Sequence, residues 1–201
     1  MIGAGSIPPL PDFYRARDDA GQQGDRLFST ATQQERVSGW GSITKEKSLY
    51  DWSKTNLLAC GYTQVEGVDY FDTYASVMNT KTFRMLLTLY NKDKHMSMQH
   101  WDVKQAFVNA PIEEVVYVQQ IKGFERENTQ SKVLKLNKAL YGTKQAAHAW
   151  QKYLSGILVK MGGRRNLKDE CVYIFQEGEG ICVLGTHVDD LFPLCNKEEI
   201  M

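Results

Sequence analysis

The sequence predicts an α+β fold, an antiparallel sheet with helices on one face, and three patterns carry that prediction. Apolar residues recur at helical spacing in two stretches, one built on Phe83, Leu86, Leu87 and Tyr90, the other on Ala146, Trp150, Leu154 and Leu158. Short runs rich in β-branched and aromatic residues lie between and after these stretches. Two of those runs flank Glu177-Gly-Glu-Gly180, the composition of a hairpin turn.

Residues 1–45 read as a poorly ordered arm. Pro8-Pro9-Leu10-Pro11, the Gly-Gln-Gln-Gly run at 21–24 and the polar stretch 29–35 carry few apolar residues and no steady period. Such a segment buries too little surface to offset its ordering entropy. Gly3-Ala4-Gly5 is no dinucleotide loop, because no strand precedes it and the third glycine is missing.

Asn79 or Thr80 is placed to cap the first helix. Residues 96–103 then read as a strand ending at Asp102, 115–121 as a second, and 133–136 as a short third. The second helix spans 145–161, and Gly162-Gly163 stops it. Strands at 171–175 and 181–187 form the hairpin, and 191–195 can return antiparallel after Asp189-Asp190. Pro193 has no N–H to donate, which predicts an edge position or weakened pairing for that last run.

With 201 residues the chain is long enough for one domain and a sizeable core. No apolar run approaches the roughly 20 residues that cross a bilayer, and the N-terminus lacks the basic start and apolar stretch of a signal peptide. Cys60, Cys171, Cys182 and Cys195 have no CxxC spacing and no nearby histidine pair, so reduced thiols are expected rather than a zinc site.

Three carboxylates end predicted strands: Asp102, and the pair Asp189-Asp190. Brought together they would form a hard oxygen site suited to Mg²⁺, and two such ions about 3.5–4 Å apart serve phosphoryl displacement. Taken alone, Asp-Asp at a hairpin tip is equally a solvated turn, and an aspartate at a strand end equally a helix cap. The charge pattern bears on the choice. Formal net charge is +0, yet residues 81–165 hold 15 Lys/Arg against 6 Asp/Glu, interleaved with Trp101, Phe107, Tyr117, Phe124, Tyr141, Trp150 and Tyr153. A basic, aromatic-bearing block suits a nucleic-acid partner, although most of those rings also lie on apolar stripes. The neutral total therefore does not exclude such a partner.

Gln99-His-Trp-Asp-Val-Lys-Gln-Ala-Phe-Val-Asn109, followed by Glu113-Glu-Val-Val-Tyr-Val118, resembles the first catalytic motif of copia-type retrotransposon reverse transcriptases. Lys138-Ala-Leu-Tyr-Gly-Thr-Lys-Gln-Ala-Ala-His-Ala-Trp150 resembles their next motif, and Val188-Asp189-Asp190 the terminal aspartate pair. Ala59-Cys-Gly-Tyr-Thr-Gln-Val-Glu-Gly67 and Asp69-Tyr70-Phe71 are similar to the fingers segment. The resemblance covers residues 54–195, with four motifs in family order.

The resemblance implies a polymerase-type palm with partial fingers over residues 46–201, truncated before the thumb, and an RNA-directed DNA polymerase activity. It implies Asp102, Asp189 and Asp190 as the catalytic, metal-binding triad for two Mg²⁺ ions, Asp102 and Asp189 holding them most directly with Asp190 in support, and Mn²⁺ as a substitute. Lys54, Val103, Phe107, Tyr141 and Gly142 would contact the incoming nucleotide, Lys54 at its triphosphate and Phe107 under its sugar, where a ring clashes with a 2′-hydroxyl. Lys144 and Gln145 would lie along the template. The implied partners are a primed RNA or DNA template and deoxynucleoside triphosphates, with no membrane, in an intracellular setting: a cytoplasmic particle or the nucleus.

The sequence also departs from the family pattern. Lys54-Thr-Asn-Leu-Leu58 stands where Lys-Ala-Arg-Leu-Val is usual, so Asn56 replaces an always-charged guanidinium. Cys60 replaces a lysine, His187-Val188 a Tyr-Val, and Ala146-Ala147 a Ser-Pro. A second expectation follows from these changes: a catalytically inactive, truncated remnant that acts at most as a nucleic-acid-binding or interaction module. A third is a remnant that barely folds.

Overall fold

A computed structural model describes residues 58–121 and 132–197 in full, with the backbone alone for the strands at 28–29, 37–38, 40–45 and 54–57. The first strands are β1 (Phe28–Ser29), β2 (Val37–Ser38), β3 (Trp40–Lys45) and β4 (Lys54–Ala59). Helix α1 (Thr80–Lys92), strands β5 (Ser97–Met98) and β6 (Trp101–Asp102) and the short α2 (Ala106–Asn109) follow. Then come β7 (Tyr117–Val118), β8 (Val133–Lys135), α3 (Ala146–Lys160), β9 (Arg164–Arg165), β10 (Val172–Glu177), β11 (Gly180–His187) and β12 (Asp190–Cys195). The fold is α+β, as the sequence predicts. The chain divides into two compact units, residues 1–73 with 107–146, and residues 74–106 with 147–201.

In the first unit β1, β8, β7 and β2 form one sheet in that order, and β3 pairs with β4 in a separate ribbon. The β2–β7 pair is parallel, a departure from the expected antiparallel pattern that the long chain segment between the two strands permits. The arm predicted over residues 1–45 falls largely outside the described residues; the backbone at 28–29, 37–38 and 40–45 is paired in these sheets. Ala59, Val116, Val118, Leu134, Leu136 and Leu140 make the core, with Val108 and Ile112 against it. Beside it two stretches of backbone press together: the Ala59 N–H donates to the Tyr141 carbonyl at 2.8 Å. Only glycines allow that approach. A Cβ on Gly61 would lie 1.9 Å from the Gly142 oxygen, and one on Gly142, at φ +92°, would lie 2.1 Å from the Ala59 oxygen.

The second unit is built on a sheet ordered β5, β12, β11, β10, β9, with β6 also on β12. Helix α1 begins where its sequence directs: the Asn79 side chain accepts from the Lys81 N–H at 2.9 Å, a cap that contributes about 1 kcal/mol. Leu86 points into the core, where Met78, Cys171, Val172 and Leu194 meet it and Phe83, Met96, Met98, Val183 and Phe192 pack around them. Leu87 and Tyr90, read as part of the same stripe, are exposed. Helix α3 ends in the arrangement that Gly162-Gly163 implies. Gly162 is left-handed at φ +94°, and the Gly163 N–H reaches back to the Leu158 carbonyl.

The strand expected over 96–103 is split into β5 and β6, and Pro193 is the reason. In an antiparallel strand a residue's N–H and C=O point to the same neighbour. The Pro193 carbonyl accepts from the Gln99 N–H at 3.1 Å, so the N–H it lacks would also have faced that strand. The β11–β12 ladder on the other side runs unbroken from Cys182–Cys195 to His187–Asp190. Pro193 therefore sits inside the sheet, not on its edge, and interrupts only one neighbour.

The same register corrects the expectation of four reduced thiols. Cys182 and Cys195 are direct cross-strand partners, with Cα atoms 4.1 Å apart, and form a disulfide. Cys60 and Cys171 are free.

Candidate active site

Asp102 and Asp190 are direct partners across the β6–β12 pair, so their side chains leave the same face of the sheet. On its other side Asp190 is opposed by His187. Two residues, Val188 and Asp189, make the turn from β11 to β12. Val188 has φ +57°, a left-handed conformation that a β-branched residue adopts only under strain of about 1–3 kcal/mol. Both carbonyls of this turn are held: the Trp150 indole N–H donates to Val188 O at 2.6 Å, and the Val103 N–H donates to Asp189 O at 2.9 Å. Asp190 thus stays in the ladder, and Asp189 alone belongs to the turn.

The Asp190 carboxylate has a partner of its own. Its Oδ1 lies 2.6 Å from His100 Nε2, and the His100 ring stacks on Phe192 with centroids 4.9 Å apart and planes 8° from parallel. Phe192 in turn meets Phe83 of α1, tilted, at 4.9 Å. Among the described residues no group of three or more His, Cys, Asp or Glu side chains is gathered closely enough to hold a metal ion. The donor chemistry suits a hard cation, and the register sets Asp102 and Asp190 side by side on one face. A gathered triad with Asp189 is not formed among the described residues.

Other residues singled out in the sequence lie in the first unit. Phe107 in α2 and Tyr141 are brought together, their rings tilted by 38° with centroids 4.6 Å apart. Gly142 is the left-handed residue of the close backbone approach. Lys144 is exposed, and its backbone N–H donates to Gln64 Oε1 at 2.8 Å. Gln145 is buried: its Nε2 donates to the Asp69 carbonyl at 2.9 Å, and its Oε1 accepts from Gln64 Nε2 at 3.0 Å. That amide pins the Lys144 turn from inside and does not present itself at the surface. Lys54 opens β4, and its side chain falls outside the described residues, as does that of Asn56. Val103 belongs to the second unit with the three aspartates.

Four contributions were not visible in the sequence as site features: His100, the Trp150 tether, Gly61 and Gln64. For Trp150 a signal existed, since a buried indole N–H needs an acceptor. Two groups have displaced acidities. A hydrogen bond with Cys60 raises the Tyr62 hydroxyl above the ordinary phenol range. Burial raises the Cys171 thiol.

Residues 35–201 match the family described as reverse transcriptase (RNA-dependent DNA polymerase). The match begins inside the segment read from the sequence as an arm. Over 148 residues, 74% of this chain, the sequence is 33% identical to the Retrovirus-related Pol polyprotein from transposon RE1 of Arabidopsis thaliana and 32% identical to that from transposon RE2 of the same plant. It is 32% identical over 140 residues, 69% of the chain, to the Retrovirus-related Pol polyprotein from transposon TNT 1-94 of Nicotiana tabacum. In each case the matched stretch is 10% of the relative's own length. The match over residues 35–201 and the 32–33% identity to the two Arabidopsis relatives over 74% of the chain show that this chain belongs to the reverse transcriptase family, as a reverse transcriptase domain of the copia-type Pol polyprotein.

Proposed function

We propose that this chain carries the nucleotidyl-transfer site of a copia-type reverse transcriptase, with the second unit as palm and the first as partial fingers. The observation that carries the proposal is the placement of Asp102 directly across from Asp190, beside a strained two-residue turn that holds Asp189. Divalent metal, as two Mg²⁺ ions or Mn²⁺, would be held by the Asp102–Asp190 pair, with Asp189, which is not gathered with that pair, contributing from the adjoining turn, and would supply charge stabilisation at the attacking and leaving oxygens. The chain's own residues do the positioning. Trp150 and Val103 fix both carbonyls of the aspartate turn, which sets where the carboxylates stand relative to the sheet.

Phe107, packed on Tyr141, offers a ring edge against the nucleotide sugar, and its bulk excludes a 2′-hydroxyl. Tyr141 and Gly142 border the nascent base pair, Val103 contacts the incoming nucleotide, and Lys54 neutralises triphosphate charge. Lys144 tracks the template; Gln145 contributes through the buried amide network that fixes the Lys144 backbone. The partners are a primed RNA or DNA template and deoxynucleoside triphosphates, and the setting is intracellular, in a particle or the nucleus. Among the described residues no helix is long and apolar enough to cross a membrane.

A second reading, a catalytically inactive nucleic-acid-binding module, is favoured by Asn56, which stands where the family pattern has an arginine. Incubating the 201-residue chain with a primed RNA template, Mg²⁺ and deoxynucleotides separates the two. Primer extension supports the polymerase; salt-sensitive binding of the duplex without extension supports the module.

A further inference from the structure

We propose that His100 is a positioning residue for Asp190, holding one carboxylate oxygen so that the other is presented on the Asp102 side to a divalent cation. The proposal rests on the reading of Asp102 and Asp190 as metal ligands. Three observations converge on it. First, His100 Nε2 lies 2.6 Å from Asp190 Oδ1. An ionised carboxylate only accepts, so the proton between them is assigned to Nε2. Second, the ring is fixed from behind: it lies nearly parallel on Phe192, which itself rests on Phe83 of α1. Third, the placement is dictated by register. Asp102 opposes Asp190 and Met98 opposes Leu194, so the intervening His100 faces Phe192, on the same side of the sheet as both aspartates.

Stability is a poor explanation for this pair. The His100 and Asp190 side chains are 58% and 37% exposed, and an ion pair in that setting contributes little to folding. What the pair does fix is direction. A carboxylate free to rotate has to be ordered by the incoming cation, whereas one already bonded through Oδ1 offers Oδ2 in a set orientation. The rings of Phe83, Phe192 and His100, the first pair tilted and the second stacked, form a continuous support from α1 to that carboxylate.

The test is Mn²⁺ binding to the full chain, read from the loss of the free-ion electron paramagnetic resonance signal, with a cooperative melt confirming that each variant folds. Wild type is expected to bind, and Asp102→Asn and Asp190→Asn to lose binding. His100→Ala is expected to bind about 10-fold more weakly, with His100→Gln, whose amide N–H reaches the Nε2 position, restored to within about threefold of wild type. Should His100→Ala not fold, His100→Asn carries the same contrast against His100→Gln, because its shorter amide does not reach Asp190. Wild-type affinity in His100→Ala, or equal losses in the glutamine and alanine variants, overturns the role of His100 while leaving the carboxylate site standing. Binding that survives unchanged in both aspartate variants overturns the metal-ligand reading, and the inference with it.

Discussion

The indole N–H of Trp150 donates to the carbonyl of Val188 at 2.6 Å, which ties helix α3 to the turn that carries Asp189. Trp150 is buried, and Val188 is a β-branched residue held at φ +57°. One bond therefore links the apolar stripe of a helix to the strained point of the candidate active site. Replacing Trp150 by Phe keeps most of the ring and removes the donor. The expected cost is about 1 kcal/mol in urea unfolding. Trp150→Ala also empties a buried volume and is expected to cost about 3–5 kcal/mol.

Gly61 and Gly142 support a different contact, the backbone approach between Ala59 and Tyr141. Gly142→Ala places a Cβ 2.1 Å from the Ala59 oxygen at a left-handed φ, and is expected to destabilise by about 3 kcal/mol or more. Gly61→Ala collides with the Gly142 oxygen and is expected to cost a similar amount, with the double variant losing less than the sum because the two share one contact. Gly67 is the control. It is also left-handed, at φ +78°, but no described residue lies within 4 Å of its added Cβ, so Gly67→Ala is expected to cost about 1 kcal/mol. Denaturant midpoints of the four variants check the ranking.

Cys171 gives the stability a pH dependence of known sign. Burial raises its thiol above the ordinary value of about 8.5. Below the unfolded pKa the thiol is protonated in both states and has no effect. As pH rises through the unfolded value the unfolded chain loses a proton that the folded chain keeps, so stability falls. Unfolding free energy is expected to decline from about pH 8.5 upward, and Cys171→Ala to flatten that decline while lowering stability at neutral pH. The half-buried Cys60 is expected to react with a thiol reagent at neutral pH well before Cys171 does.

Lys144 and Gln145 are neighbours with different expected phenotypes. Binding of a primer–template duplex is expected to weaken as salt rises, and Lys144→Ala to reduce the slope of log affinity against log salt by about 1. Gln145→Ala leaves Gln64 Nε2 without its acceptor and the Asp69 carbonyl without its donor, and is expected to cost about 1–3 kcal/mol of stability with the slope unchanged. Salt titrations and unfolding of both variants separate a surface contact from an internal one.

These residues also show what the sequence could and could not disclose. The Asn79 cap, the Gly162 stop, the 172–187 hairpin and the return of β12 depend on chemistry within a few positions, and each was legible. Asp102 was legible as a strand end, and the Asp102–Asp190 pairing follows once β6 and β12 are neighbours, with Asp189 left in the turn. Longer-range relations were hidden. Gln145 lies between an exposed lysine and the start of α3 and is implied by the resemblance to lie along the template, yet partners from positions 64 and 69 bury it. Pro193 reads as an edge signal, because a proline reveals a missing donor but not which neighbouring strand that donor would have faced. The Cys182–Cys195 bond and the His100–Phe192 stack are products of register, which no local pattern encodes.

The central claim is that Asp102 and Asp190, set opposite each other across β6 and β12, carry nucleotidyl transfer. Its most direct test is extension of a primed RNA template by the full chain with Mg²⁺ and deoxynucleotides, comparing wild type with Asp102→Asn and Asp190→Asn, both confirmed as folded. The expected result is extension by the wild type and none above background by either amide variant. Extension by Asp102→Asn at the wild-type rate, or no extension by wild-type protein that binds the duplex, would contradict it.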